Sequence, residues 1–219
     1  MRSGARYTPS VQRLLACIAF LAWTSVYAQD LPASSMRTQR AREYVTLGER
    51  FLAGGDRVSA AAYFRDAISA DPSSALAYVR LGEVQRVRGA LRDSEETFRV
   101  GIQRAEPDAR MWTGLVLVLD AARRGEEADA LLRESSTHFP RDENVMLLRR
   151  DRAESRLAWS LALALTRRLI QLARDRGDEE AASEHATHAL ALSVLVGELD
   201  PLAIDSADAS PLRRALRRR

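Results

Sequence analysis

The sequence predicts an all-α fold built as a solenoid of stacked helix hairpins. Three observations carry this. Apolar and aromatic residues recur every 34 residues between 41 and 142: Tyr44, Tyr78 and Trp112; Leu47, Leu81 and Leu115; Ala60, Ser94 and Ala128; Phe64, Phe98 and Leu132. A fixed period of this length is the mark of a repeat array, in which each unit buries its apolar face against the next. Within each period two stripes of helical spacing flank a glycine-bearing turn, and glycine and proline are otherwise sparse.

The elements follow in order. Residues 1–28 read as a secretory signal peptide: Arg2, Arg6 and Arg13 precede an apolar run from Leu14 to Val26, and Val26-Tyr27-Ala28 supplies small residues before a cleavage point at Gln29. The run is 13 residues, against the roughly 20 that span a bilayer. An uncleaved anchor in the inner membrane is the alternative. Cys17, the only cysteine, begins the apolar run where a lipobox cysteine would end it. A chain cleaved at 28 has no thiol for disulfides, nucleophilic catalysis or metal ligation.

Residues 29–40 are polar and aperiodic, as expected of a linker. In the first hairpin, 41–74, Tyr44, Val45, Leu47, Phe51 and Leu52 mark one helix. Gly54-Gly55 ends it, and Asp56 caps a second helix carrying Val58, Ala61, Phe64, Ala67 and Ile68. Asp71-Pro72 stops that helix. The second hairpin, 75–108, places Leu76, Val79, Leu81 and Val84 before a turn at Gly89, then Leu91, Phe98 and Ile102. The third, 109–142, uses Trp112, Leu115 and Leu119, a turn near Gly125, then Leu131 and Leu132, and closes at Pro140.

Beyond Asp142 the register fails, because Arg149 and Arg150 occupy the places of a core leucine and glycine. Residues 143–199 are expected to form capping helices: one long helix over 156–175, a turn at Gly177, and another helix from Glu179 to Gly197. Leu169, Ile170, Ala173, Gly177, Ala182 and Ala189 fit a degenerate fourth repeat in a shifted frame. The apolar run Leu157–Leu165 is expected to bury against the third repeat, since Arg167 and Arg168 end it short of a membrane span. Residues 200–219 read as a flexible tail ending in five arginines.

Residues 41–142 resemble three tetratricopeptide repeats. The first matches at Tyr44, Leu47, Gly48, Phe51, Ala60, Phe64, Ala67 and Pro72. The second matches at Tyr78, Leu81, Gly82, Ser94, Phe98 and Gly101, with Gln85 in place of an aromatic. The third matches at Trp112, Leu115, Ala128, Ser135 and Pro140, with Val116 for the glycine and Leu132 for an aromatic. The resemblance implies a right-handed superhelix whose concave groove is lined by the first helix of each hairpin. Carried over, the groove comprises Arg42, Val45, Glu49, Leu52 and Ala53; Leu76, Val79, Glu83, Arg86 and Val87; and Arg110, Thr113, Leu117, Asp120 and Ala121. Leucine and valine among arginine and glutamate suit an amphipathic helix or extended peptide. Val45, Val79 and Thr113 beside Glu49, Glu83 and Asp120 do not make the basic clamp with which one subclass grips a C-terminal carboxylate, and the acids repel such a ligand.

Charge narrows the function classes. All 33 basic residues are arginine, which excludes Schiff-base and phosphate-loop lysines. The formal charge of +3 falls to zero without residues 1–28, and residues 29–212 carry five more acids than arginines. The high isoelectric point therefore belongs to the two ends, and a nucleic-acid partner is not expected. The terminal arginines would give a weak contact with anionic membrane surfaces.

No catalytic constellation and no cofactor signal is present. Ser135 and Ser136 lie near His138 in a helix end and not in a strained elbow. His185 and His188 share a helix face, a geometry open to a metal, but no further ligand accompanies them. The sequence carries no signal for oligomeric state. The expectation is a non-enzymatic, exported, periplasmic scaffold that binds a segment of another envelope protein. Resemblance to exported repeat proteins implies a role in assembling a pilus, secretion or polysaccharide-export machine. A membrane-tethered scaffold, or a metal-dependent factor using His185 and His188, are the alternatives.

Overall fold

A computed structural model describes residues 33–198. The signal-like stretch, Cys17 and the segment 200–219 with its arginines lie outside the described residues. Nine helices form among the described residues: α1 (Ala33–Ala53), α2 (Arg57–Ala70), α3 (Ala75–Val87), α4 (Leu91–Arg104), α5 (Ala109–Ala121), α6 (Gly125–His138), α7 (Glu143–Ser155), α8 (Trp159–Asp175) and α9 (Glu179–Val196).

The 34-residue period continues through α7 and α8. First helices begin at Ala75, Ala109 and Glu143, and second helices at Arg57, Leu91, Gly125 and Trp159. The register therefore does not fail at Asp142. Arg149 and Arg150 erase the leucine-glycine signal, but the position of closest helix approach is retained. Ala60, Ser94, Ala128 and Ala162 are each fully buried one period apart, and a small side chain there lets paired helices pack tightly. The fourth hairpin is α7–α8, and α9 covers its open side. The expected helix over 156–175 begins three residues later, at Trp159, because Arg156-Leu157-Ala158 form the turn before α8.

Turn geometry obeys the same period. Gly55, Gly89, Arg123 and Leu157 all have positive φ, at 84°, 78°, 62° and 58°. Glycine supplies that conformation in the first two repeats; an arginine and a leucine are held in it in the last two. Gly125 lies next to the turn, as expected, and is the first residue of α6.

Aspartates cap four of the helices. Asp56 accepts from the Val58 and Ser59 amides, Asp108 from Arg110, Asp142 from Val145 and Asp178 from Ala181. Each satisfies amides that the helix cannot bond internally. The expected linker is shorter than 29–40, because α1 begins at Ala33. Thr38 Oγ1 donates to Asp71 Oδ2 at 2.9 Å and ties these early turns to the first hairpin.

Within each of the first two hairpins, an aromatic ring of the second helix rests on a glycine backbone of the first. A Cβ on Gly48 would lie 2.5 Å from the Phe64 ring, and one on Gly82 2.5 Å from that of Phe98. Ser94 Oγ donates to the Gly82 carbonyl at 2.7 Å and locks α4 to α3. The main cores run through Phe64 with Ala60, Ala61 and Leu81, and through Phe98 with Met111, Leu115 and Leu119. The run 157–165 buries Ala162 and Leu163 in a third cluster with Ala153 of α7 and Ala189 and Leu192 of α9. Its partners are α7 and α9, and not the third repeat as expected. Leu157 and Leu161 of that run stay exposed.

Consecutive first helices touch one another, α1 to α3, α3 to α5 and α5 to α7, whereas consecutive second helices do not. The stack therefore curves with its first helices on the inner side. No described helix is long and apolar enough to cross a membrane.

Candidate functional site

On the inner face, α3, α5 and α7 bound a cleft of about 370 Å³. Its apolar floor is Leu117, Leu147 and Leu148. Glu83, Arg86, Arg110 and Asp151 stand at its sides. Leu117 is 38% exposed, which is unusual for a leucine in the middle of a packed helix layer. Arg86 has no ion-pair partner among the described residues, so its guanidinium faces the cleft unneutralised.

A second cleft, of about 320 Å³, lies at the N-terminal ends of the first helices and brings Arg42, Val45, Leu76 and Arg110 together. Arg110 lines both clefts. It is held by Asp108, whose Oδ2 lies 2.6 Å from Arg110 Nη2. Burial pushes the Asp108 carboxyl up, but the bonds from the Arg110 side chain and amide outweigh it and hold the group below the usual carboxylate range. The same carboxylate raises the Arg110 guanidinium above its ordinary value against desolvation.

Of the residues predicted for the groove, Glu83, Arg86, Arg110, Thr113 and Leu117 meet in the first cleft, and Arg42, Val45 and Leu76 join Arg110 in the second. Val45, Val79 and Thr113 are buried. That position points between helices, so Val79 is a core residue, while Val45 and Thr113 only edge their clefts. Leu52 packs against the first core. Glu49 and Glu83 are joined by Arg80, at 3.0 and 3.2 Å. Asp120 is bound by Arg152 at 2.7 Å. Ala53, Val87 and Ala121 are exposed and line neither cleft.

Sequence reasoning missed Asn144, Leu147, Leu148 and Asp151, the α7 wall of the first cleft. The signal was present. These residues stand 34 after Arg110, Thr113, Gly114 and Leu117.

The histidines do not converge. His188 Nε2 lies 2.6 Å from Glu154 Oε1, and His185 Nε2 lies 3.7 Å from Glu143 Oε1, toward opposite ends of α7. Among the described residues no three His, Cys, Asp or Glu side chains gather as a metal site. The Ser135 and Ser136 hydroxyls both donate to the Leu132 carbonyl, at 3.0 and 2.6 Å. His138 lies against Trp112, with the rings tilted by 38° and their centroids 5.1 Å apart.

No family model matches the chain, and no curated protein matches it in sequence. Solved structures do match. A tetratricopeptide repeat protein from Parabacteroides merdae superposes with a TM-score of 0.50 at 14% identity, over 73% of this chain and 74% of that one. PilW, a type IV pilus biogenesis factor, gives 0.48 at 16%, over 85% and 100%. YrrB, a repeat protein with an unusual peptide-binding site, gives 0.43 at 14%, over 80% and 90%. The period, the small residues at each helix crossing and the inward first helices agree with this likeness: in fold, the chain is a tetratricopeptide-repeat-type protein, an all-α solenoid of helix hairpins.

Proposed function

We propose that the protein is a non-enzymatic interaction scaffold of the bacterial cell envelope, which holds a helical or extended segment of a partner protein in its concave groove. The observation that carries this is the cleft between α3, α5 and α7, with three leucines at its floor and the unpaired Arg86 at its side. Apolar anchors between separated charges of both signs match an amphipathic segment that buries one face and pairs the other. Binding is non-covalent, and the solenoid supplies a preorganised surface. The exported, periplasmic setting rests on the basic and apolar N-terminal sequence. Within it, assembly of a pilus, secretion or polysaccharide-export machine is the proposed role.

The test is capture of the partner by wild type and by an Arg86→Glu, Leu117→Asp double variant. Both positions are accessible, so helicity should persist while capture is lost. Capture equal to wild type by a folded double variant would place the binding surface elsewhere.

A further inference from the structure

Behind the concave face, each second helix and the following hairpin enclose a cleft that recurs with the repeat. In the first two instances the charges nearly balance. Arg65 accompanies Asp93 and Glu96, and one period later Arg99 accompanies Glu127 and Glu134. The third, between α6, α7 and α8, differs. Arg133 stands one period after Arg99, but Arg149, Arg152 and Arg156 join it, and Asp129 is the only acid among the described residues that line a cleft of about 330 Å³.

The fold does not call for these arginines. Arg149 occupies the place of Leu81 and Leu115, which are 5% and 1% exposed. A guanidinium there forfeits apolar burial and is partly desolvated. Asp129 is shared by Arg152, at 3.3 Å, and Arg156, and Arg152 also holds Asp120. Arg133 and Arg149 have no ion-pair partner among the described residues. Leu132 is buried at the base of the cleft, and Leu161 is 47% exposed at its rim. Two unneutralised guanidinium forks beside an apolar edge match carboxylates borne on an apolar segment. The side chain of Arg152 is 22% exposed and recessed. It is reached by an inserted side chain and not by a planar lipid surface.

We propose that the cleft lined by Arg133, Arg149, Arg152 and Arg156 is a second docking site, which takes the carboxylate side chains of an acidic, partly apolar peptide segment. It is distinct from the concave groove, with which it shares no lining residue. The two sites can therefore be tested apart.

The experiment is fluorescence anisotropy of the full chain with a labelled eight-residue peptide alternating Glu and Leu. Saturable binding that weakens with added salt is expected. Arg149→Leu combined with Arg133→Gln should weaken it by at least about tenfold, and Arg92→Glu, at an exposed site on α4 outside both clefts, should leave it unchanged. Arg149→Leu restores the residue of the two preceding repeats, and Arg133→Gln alone, on an exposed site, is the variant to use if the pair unfolds. Absence of wild-type binding, binding unchanged in these variants, or equal binding of a Lys-Leu peptide would overturn the proposal. So would binding to phosphatidylglycerol vesicles, lost in the variants, without binding to the acidic peptide; that result would assign the cleft to lipid headgroups.

Discussion

Phe98 of α4 lies directly on the backbone of Gly114 in α5: a Cβ on Gly114 would sit 2.4 Å from the ring carbon Cζ. The contact joins the second hairpin to the third, and Phe98 is fully buried in it. Neither the ring nor the helix can retreat without opening the core. Gly114→Ala is therefore expected to lower stability by about 1–3 kcal/mol through overpacking, despite the better helix propensity of alanine. Urea denaturation followed by circular dichroism measures it.

Arg123 and Leu157 point the other way. Both hold the left-handed conformation that Gly55 and Gly89 hold at the equivalent positions of the first two repeats. Leu157 is 69% exposed, so little packing is lost on its removal. Relief of the left-handed strain, about 1–2 kcal/mol per residue, exceeds the entropic cost of glycine, about 0.5–1 kcal/mol. Leu157→Gly should stabilise the chain by about 0.5–1 kcal/mol by that difference. An unchanged or lower denaturation midpoint would contradict the turn geometry.

Asp71 anchors the start of α1. It accepts from Ser73 Oγ at 2.6 Å, from the Ser73 amide at 3.0 Å and from Thr38 Oγ1 at 2.9 Å. Asp71→Ala should cost about 1–2 kcal/mol for the lost bonds. Hydrogen exchange should show the amides of 36–40 losing protection before those of 44–52.

Acid should unfold the protein through a small set of carboxylates. The Ser73 hydroxyl holds Asp71 below its ordinary 3.8. The Arg176 guanidinium holds Glu143 below its ordinary 4.5. Asp108 is lowered by Arg110 against its own burial. Carboxyls depressed in the folded state stabilise it fully above their unfolded values, and that contribution is lost as pH falls through the folded ones. Denaturation midpoints should be flat near neutrality and fall below about pH 4.5. Asp108→Asn should make the fall shallower.

Much of this was legible in the sequence, and the gaps have physical causes. The first three hairpins announced themselves through leucine, glycine and aromatic residues at fixed offsets. The fourth was hidden because Arg149 and Arg150 replaced the residues that carry the signal, while Ala162, which fixes the helix crossing, was one alanine among many. The turns at Arg123 and Leu157 were invisible because only the surrounding fold holds a non-glycine residue there. Two turns of α1 read as linker because Met36, at 62% exposure, gives no apolar stripe; they extend a helix already nucleated by the hairpin, which requires only propagation. In the groove, Val45, Val79 and Thr113 were assigned to the surface by position alone, whereas the close contact of successive first helices turns them inward.

The central claim is that the inner cleft over α3, α5 and α7 holds the partner. Site-specific photocrosslinking in cells tests it most directly, with the crosslinker placed at Leu117, at Leu147 and, as a control, at exposed Arg92 on α4. The account predicts one and the same protein adduct from Leu117 and Leu147, mapped to a single segment of the partner, and none from Arg92. Adducts from Arg92 alone, or different proteins from Leu117 and Leu147, would contradict it.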